Sequence, residues 1–277
     1  MNPFKKYTAN LIIPVIFMMA SAIFSSCEKV NVDAYTQQAV VESYLEDGVA
    51  PTVTITKESL YVSGDTNVVQ TPINGLAVKI INAGKTYALV AKGSGVYTAT
   101  GLLAKAGQSY DLSFDYNGKT VTATTTVPAN PTGVKSDATS ITILATFGAS
   151  SARPDPINIT WENPTQEYYY VAVVCTEVTP VELVRPSFFG KLPSTRNNRR
   201  FTNSPVNGTT SAIQQQNFRY KGTHEIIVYK VNPEYVKLYE SSGSNSLNIS
   251  TPPTNIKNGL GIFTGAGRVS LPLLVKQ

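Results

Sequence analysis

In 277 residues the sequence has a single histidine, His224, two cysteines, Cys27 and Cys175, and one tryptophan, Trp161. Each scarcity removes a class of chemistry. One histidine cannot build a multi-histidine zinc or iron site, and it leaves any histidine-dependent triad with one candidate base. Two cysteines make no disulfide framework, and Cys175 closes an apolar run, where it reads as a small buried hydrophobe. Charged residues are 15% of the chain, and two units of the +5 formal net charge stand on Lys5 and Lys6 near the start. So mild an excess offers no basic face for nucleic acid. No Gly-x-Ser-x-Gly elbow, phosphate-binding loop or His-Glu-x-x-His pair occurs. The expectation is a protein that is not an enzyme, with no catalytic residues, no metal ligands and no cofactor. A carboxylate pair meeting across a cleft from distant strands is the arrangement that a sequence does not reveal.

What is present begins with a leader. Lys5 and Lys6 precede an apolar core from Leu11 to Met19, interrupted by Pro14 and short for a membrane span. Ile23-Phe24-Ser25-Ser26-Cys27 follows, a cysteine after small residues, in the form of a lipobox. Residues 1–26 are therefore expected to be a lipoprotein signal peptide, cleaved before an acylated Cys27 whose chains hold the protein on a membrane. Residues 27–36 are polar and lack the Gly/Ser content of a flexible stalk, so they form a short tether.

From residue 37 to about 130 the apolar positions recur every second residue. Val53 and Ile55, then Leu76, Val78 and Ile80, then Tyr110, Leu112 and Phe114 each mark one face of a half-buried strand. Asn117-Gly118 supplies the positive φ angles of a two-residue hairpin turn, and Val121, Ala123, Thr125 and Val127 run back from it. About seven such strands predict an immunoglobulin-like antiparallel sandwich. Pro128-Ala129-Asn130-Pro131 marks its end.

Residues 131–277 read as a second β-rich domain. Ile157, Ile159 and Trp161 share a strand face, Asn163-Pro164 turns the chain, and Tyr168-Tyr169-Tyr170 opens the next strand, as in a fibronectin type III module. Trp161 is expected in the core. Alternation sends Tyr168 and Tyr170 to one side and Tyr169 to the other. Core packing is the expected role of the run, with a sugar-stacking platform on Tyr168 and Tyr170 as the alternative. The stretch 178–222 is punctuated by prolines and predicts a long irregular insertion, whose Lys191, Arg196, Arg199 and Arg200 read as a solvated basic loop, with contact to an acidic partner or to lipopolysaccharide phosphates as the alternative. One short helix is expected, capped by Asn232, with Pro233 first, Gly243 closing it, and an apolar face of Tyr235, Leu238 and Tyr239. The glycines of Gly259-Leu260-Gly261 are expected to allow a tight turn.

Asn232-Pro233-Glu234-Tyr235, and then Thr254-Asn255-Ile256-Lys257-Asn258-Gly259-Leu260-Gly261-Ile262-Phe263, resemble the ending of a family of Bacteroidetes outer-membrane lipoproteins known as domain of unknown function 4249. The likeness extends to Trp161-Glu162-Asn163-Pro164 and Val40-Val41-Glu42, and so spans nearly all the mature chain. It departs at Trp161, Glu162 and Ile262, where the family favours Phe, Asp and Tyr. The resemblance implies two tandem β domains, an outer-membrane location at the cell surface or periplasmic face, and association with a TonB-dependent transporter. The expected function is thus an accessory or binding lipoprotein, its Asn258 to Gly265 turn and basic loop forming the contact surface. The alternative is a structural or adhesive subunit of the fimbrial type.

Overall fold

A computed structural model describes residues 36–59, 70–143, 155–184, 199–242 and 252–277. The leader, Cys27 and nearly all of the tether lie outside the described residues, as do Lys191 and Arg196. Residues 37–277 form one compact unit. The class is all-β, as the alternating pattern predicts, with one α-helix and one short 3-10 turn, Gln215–Asn217, among the described residues.

The first core is built by β1 (Ala39–Glu46), β2 (Thr52–Lys57), β3 (Lys79–Asn82), β4 (Lys85–Gly93), β5 (Val96–Ala99), β6 (Ser109–Tyr116) and β7 (Lys119–Thr126), in the order β1-β2-β5-β4-β3-β6-β7. All these pairings are antiparallel. The alternation read in the sequence is the alternation observed. Val53 and Ile55 from β2, Tyr110, Leu112 and Phe114 from β6, and Val121 and Ala123 from β7 all enter the core. Tyr116 pairs with Lys119 across Asn117 (φ 49°) and Gly118 (φ 73°), the turn whose twist matches that of the flanking strands. On β1, Ala39, Val41, Ser43 and Leu45 face inward, which leaves Glu42, Tyr44 and Glu46 on the opposite face.

Beyond residue 130 come β8 (Lys135–Ser136), β9 (Ser140–Thr142), β10 (Ile157–Thr160), β11 (Tyr168–Cys175), β12 (Val181–Glu182), β13 (Arg200–Thr202), β14 (Thr210–Ile213), β15 (Tyr220–Val231), α1 (Pro233–Ser242) and β16 (Leu260–Lys276). A three-stranded sheet, β14-β10-β8, covers one face of β11 and β15. Ile157, Ile159, Trp161, Tyr169, Val171, Val173, Ile226 and Val228 fill the core between them. Trp161 is buried as expected, its ring 5.4 Å from that of Tyr169 and its Nε1 donating to the Gly208 carbonyl at 3.0 Å. The Asn163 side chain pins the next turn by accepting from the Glu167 N–H and donating to the Glu167 carbonyl, both at 2.8 Å. The other face of β11 and β15 is also covered, by α1 and the rings packed beneath it. Burial on both faces is why this region reads as continuous apolar runs rather than as alternation.

Two expectations are corrected here. The described parts of 178–222 hold three short strands, β12, β13 and β14, each pairing with a neighbour. Strands of two to four residues leave no periodicity to read. On α1, the buried position is Val236, whereas Tyr239 is 43% exposed. Val236 enters the ring cluster on this face of the sheet and Tyr235 packs against it, while Tyr239 turns outward.

The longest strand, β16, joins the two cores. Its first half runs parallel to β1, from Val40 opposite Leu260 to Glu46 opposite Ala266. Its second half runs antiparallel to β15, from Val231 opposite Ala266 to Gly222 opposite Val275. The first sheet also folds over, so that β7 lies against β16: a Cβ at Gly265 would stand 2.6 Å from the Thr126 carbonyl oxygen. Ile256 and Phe263, from the end of the chain, are thus members of the first core.

Candidate functional site

The segment 254–263 forms a clasp. Asn255 acts as a surrogate strand residue, donating to the Phe263 carbonyl at 2.7 Å and accepting the Phe263 N–H at 3.0 Å. Thr254 Oγ1 donates to the Gly261 carbonyl, and Asn258 reaches the Thr120 carbonyl of the β6–β7 hairpin at 2.9 Å. Gly261 has φ +95°, and a Cβ there would stand 2.0 Å from the Val41 carbonyl oxygen. That glycine serves the close approach of β16 to β1 inside the strand. The tight turn lies just before it, at Asn258 (φ 59°). Residues 262–267 are buried. The expectation that 258–265 form an outward contact surface is therefore corrected: this segment is spent holding the first core together.

Where β16 passes between the cores, a cleft of about 340 Å³ opens on the outer face of the sheet. β1 contributes Tyr44 and Glu46, β11 Tyr170, β13 Arg200 and Thr202, α1 Tyr235, and β15 and β16 the floor of Val231, Thr264 and Ala266. On the strands, period-two alternation aims these side chains away from the two main cores, and α1 brings Tyr235 to the same face. Tyr170 stacks on Tyr229 at 4.7 Å and on Tyr235 at 5.3 Å, both at 17°, and Tyr44 meets Tyr235 edge-on at 6.2 Å. The Arg200 guanidinium lies 5.4 Å from the Tyr229 ring centre, a cation–π distance. Glu46 accepts from Arg268 at 3.2 Å, and Arg268 also reaches Glu225 at 3.5 Å.

The cleft is braced from below by a polar junction. Glu234 Oε1 accepts from Thr264 Oγ1 at 3.0 Å and Thr125 Oγ1 at 3.2 Å, and the Asn232 amide donates to the Thr126 carbonyl at 2.9 Å. Asn232, expected as a helix cap, thus ties the start of α1 to β7. Burial, before any neighbouring charge, pushes the Tyr44 hydroxyl up to about 12 and raises those of Tyr170 and Tyr235 as well. All three phenols remain protonated at neutral pH, able both to donate and to accept.

Of the residues singled out in the sequence, Arg200 and Tyr170 meet in this cleft. Tyr168 packs at the edge of the same ring cluster. Tyr170 cannot serve as a stacking platform, because Tyr229 and Tyr235 already stack against it and it is only 9% exposed. Arg199 lies apart, its guanidinium donating to the Val178 carbonyl at 3.0 Å. Sequence reasoning missed Tyr44, Glu46 and Tyr235. The outward face of β1 was legible in its alternation, but its pairing with β16 was not. Among the described residues, no group of three His, Cys, Asp or Glu side chains could hold a metal ion.

No curated protein matches this chain. Among solved structures, the crystal structures of the N-terminal four Ig domains of Dscam1 isoforms 6.9 and 7.44 are similar at 8% identity, each with a TM-score of 0.19. They cover 88% and 87% of this chain, which spans about half the length of each, 46%. A likeness at that score carries no argument about this protein. The family model described as domain of unknown function (DUF4249) matches residues 28–271, and the chain belongs to that family.

Proposed function

We propose that this protein is a membrane-anchored, non-catalytic binding lipoprotein of the outer membrane, an accessory of a TonB-dependent transporter, held by acyl chains on Cys27. The observation that carries this reading is the lipobox at 23–27, directly followed by the family match from residue 28. Reach supports the choice of partner. Twelve positions separate Cys27 from the start of β1 at Ala39, and a chain spans at most about 3.3 to 3.6 Å per residue, so the body stays within roughly 40 Å of its anchor. A protein so placed meets neighbours in the same membrane first. The fimbrial alternative draws no support from β1, which is already paired on both sides, with β2 and β16, and offers no vacant edge for a neighbour's strand.

The test is membrane fractionation and affinity purification from outer membranes. The full chain should label with palmitate, sediment with membranes and co-purify a transporter barrel. Cys27→Ala should lose the label and appear in the soluble fraction. Undiminished label in that variant, or purification of the full chain without any transporter, would overturn the corresponding half of the proposal.

A further inference from the structure

We propose that the cleft between β1, β11 and α1 binds an uncharged carbohydrate, such as the end of a glycan, by stacking on Tyr235 and Tyr44. This inference stands apart from the anchoring and transporter reading and does not depend on it. Its volume of about 340 Å³ falls at the small end of ligand sites, which suits roughly one or two sugar rings.

Three observations select the ligand class. The first is the ring arrangement. Tyr170 is used up inside the stack, but it backs Tyr235 and holds that ring in place, while Tyr44 is 41% exposed beside it. Flat, pre-set aromatic faces match the apolar C–H faces of pyranose rings and lose little entropy on binding.

The second is charge. The lining holds one cation, Arg200, which lies over the Tyr229 ring, and one anion, Glu46, which Arg268 also pairs, so no surplus of either sign is offered. A phosphate or a free carboxylate that met Arg200 would also meet the Glu46 carboxylate in the same lining, a like-charge contact. A neutral ligand brings no such repulsion.

The third is hydrogen-bonding character. The rim mixes a five-donor guanidinium, a carboxylate acceptor and hydroxyls of Thr202 and the tyrosines that both donate and accept. Vicinal sugar hydroxyls, which also do both, are complementary to such a set. The lining comes from both cores and meets on the shared strand, so the geometry is fixed before a ligand arrives.

The test is saturation-transfer NMR on the mature chain with glucose, galactose, mannose, N-acetylglucosamine, maltose and cellobiose, alongside inorganic phosphate and trialanine. At least one saccharide should bind saturably, while phosphate and trialanine do not. Tyr235→Leu and Arg200→Gln should each weaken it about tenfold, with the melting temperature showing the variants folded. Should Tyr235→Leu fail to fold, Tyr44→Leu, at a more exposed position, reads out the same stacking. Absence of binding by every saccharide, binding untouched by these variants, or saturation by phosphate or trialanine in their place would overturn the proposal.

Discussion

The two cores of this protein are assembled in different ways. The first is local along most of its perimeter: β3 to β4 and β6 to β7 are hairpins, and each strand shows one face to the core and one to solvent. The second pairs strands far apart in sequence and buries its central sheet on both faces, as the run of seven tyrosine, valine and alanine positions in β11 shows. Yet the local-looking core is the one that depends on the far end of the chain. Without β16 and the turn before it, Phe263 and Ile256 leave it and β1 loses one of its two neighbours. A hairpin-rich sandwich can thus still be closed by a strand more than 130 residues downstream of its last hairpin.

The sharpest way to break that comparison is Gly261→Ala. The new Cβ would have to occupy space 2.0 Å from the Val41 carbonyl oxygen at φ +95°. The expected loss is about 4 to 5 kcal/mol, the diagnostic end of the single-mutant range, or failure to fold. The control is Gly118→Ala in the β6–β7 hairpin, where φ is +73° but nothing lies within 4 Å of the added carbon. It should cost only about 1 to 2 kcal/mol. Urea denaturation of the pair checks the claim, and equal losses would show that the contact with β1 carries no special weight.

Trp161→Ala attacks the second core instead. Losing the buried indole, and with it the shorter of the two hydrogen bonds to the Gly208 carbonyl, should cost about 3 to 5 kcal/mol. Because β16 is common to both cores, the variant should still melt in one transition followed by circular dichroism. Two separated transitions would mean that the shared strand does not couple them.

The smallest effect concerns pH and also belongs to the second core. His224 is 4% exposed, packs edge-on to Phe218 at 5.7 Å, and has Nδ1 3.0 Å from the Gly222 carbonyl. Burial lowers its pKa, more than the carbonyl and Glu177 raise it. A base whose folded pKa is depressed gives stability that is complete above its unfolded value, near pH 6.5, and declines as pH falls from there toward the folded value. As the sequence has one histidine, a shallow loss of stability over that window should vanish in His224→Phe. Identical pH profiles for the two proteins would remove His224 as the cause.

The hairpin at Asn117-Gly118, the inward faces of β2, β6 and β7, the buried Trp161 and the split of Tyr168 and Tyr170 from Tyr169 were all legible in residue order. They depend on neighbours two or four residues apart, and alternation fixes which face a side chain takes. The family ending was legible as a likeness, but its task was not. Asn255, Asn258 and Gly261 look like turn residues until the strand they escort is seen to lie against Val41 and Thr120. The cleft was out of reach for the same reason. Tyr44, Tyr170, Arg200 and Tyr235 are scattered over nearly two hundred residues, and only pairing of β16 with β1 on one side and β15 on the other brings them together. The sequence by itself determined which face each strand buries, because that is set by local period. Which strands become neighbours was decided by tertiary structure, because β16 had to bury apolar residues against both cores at once.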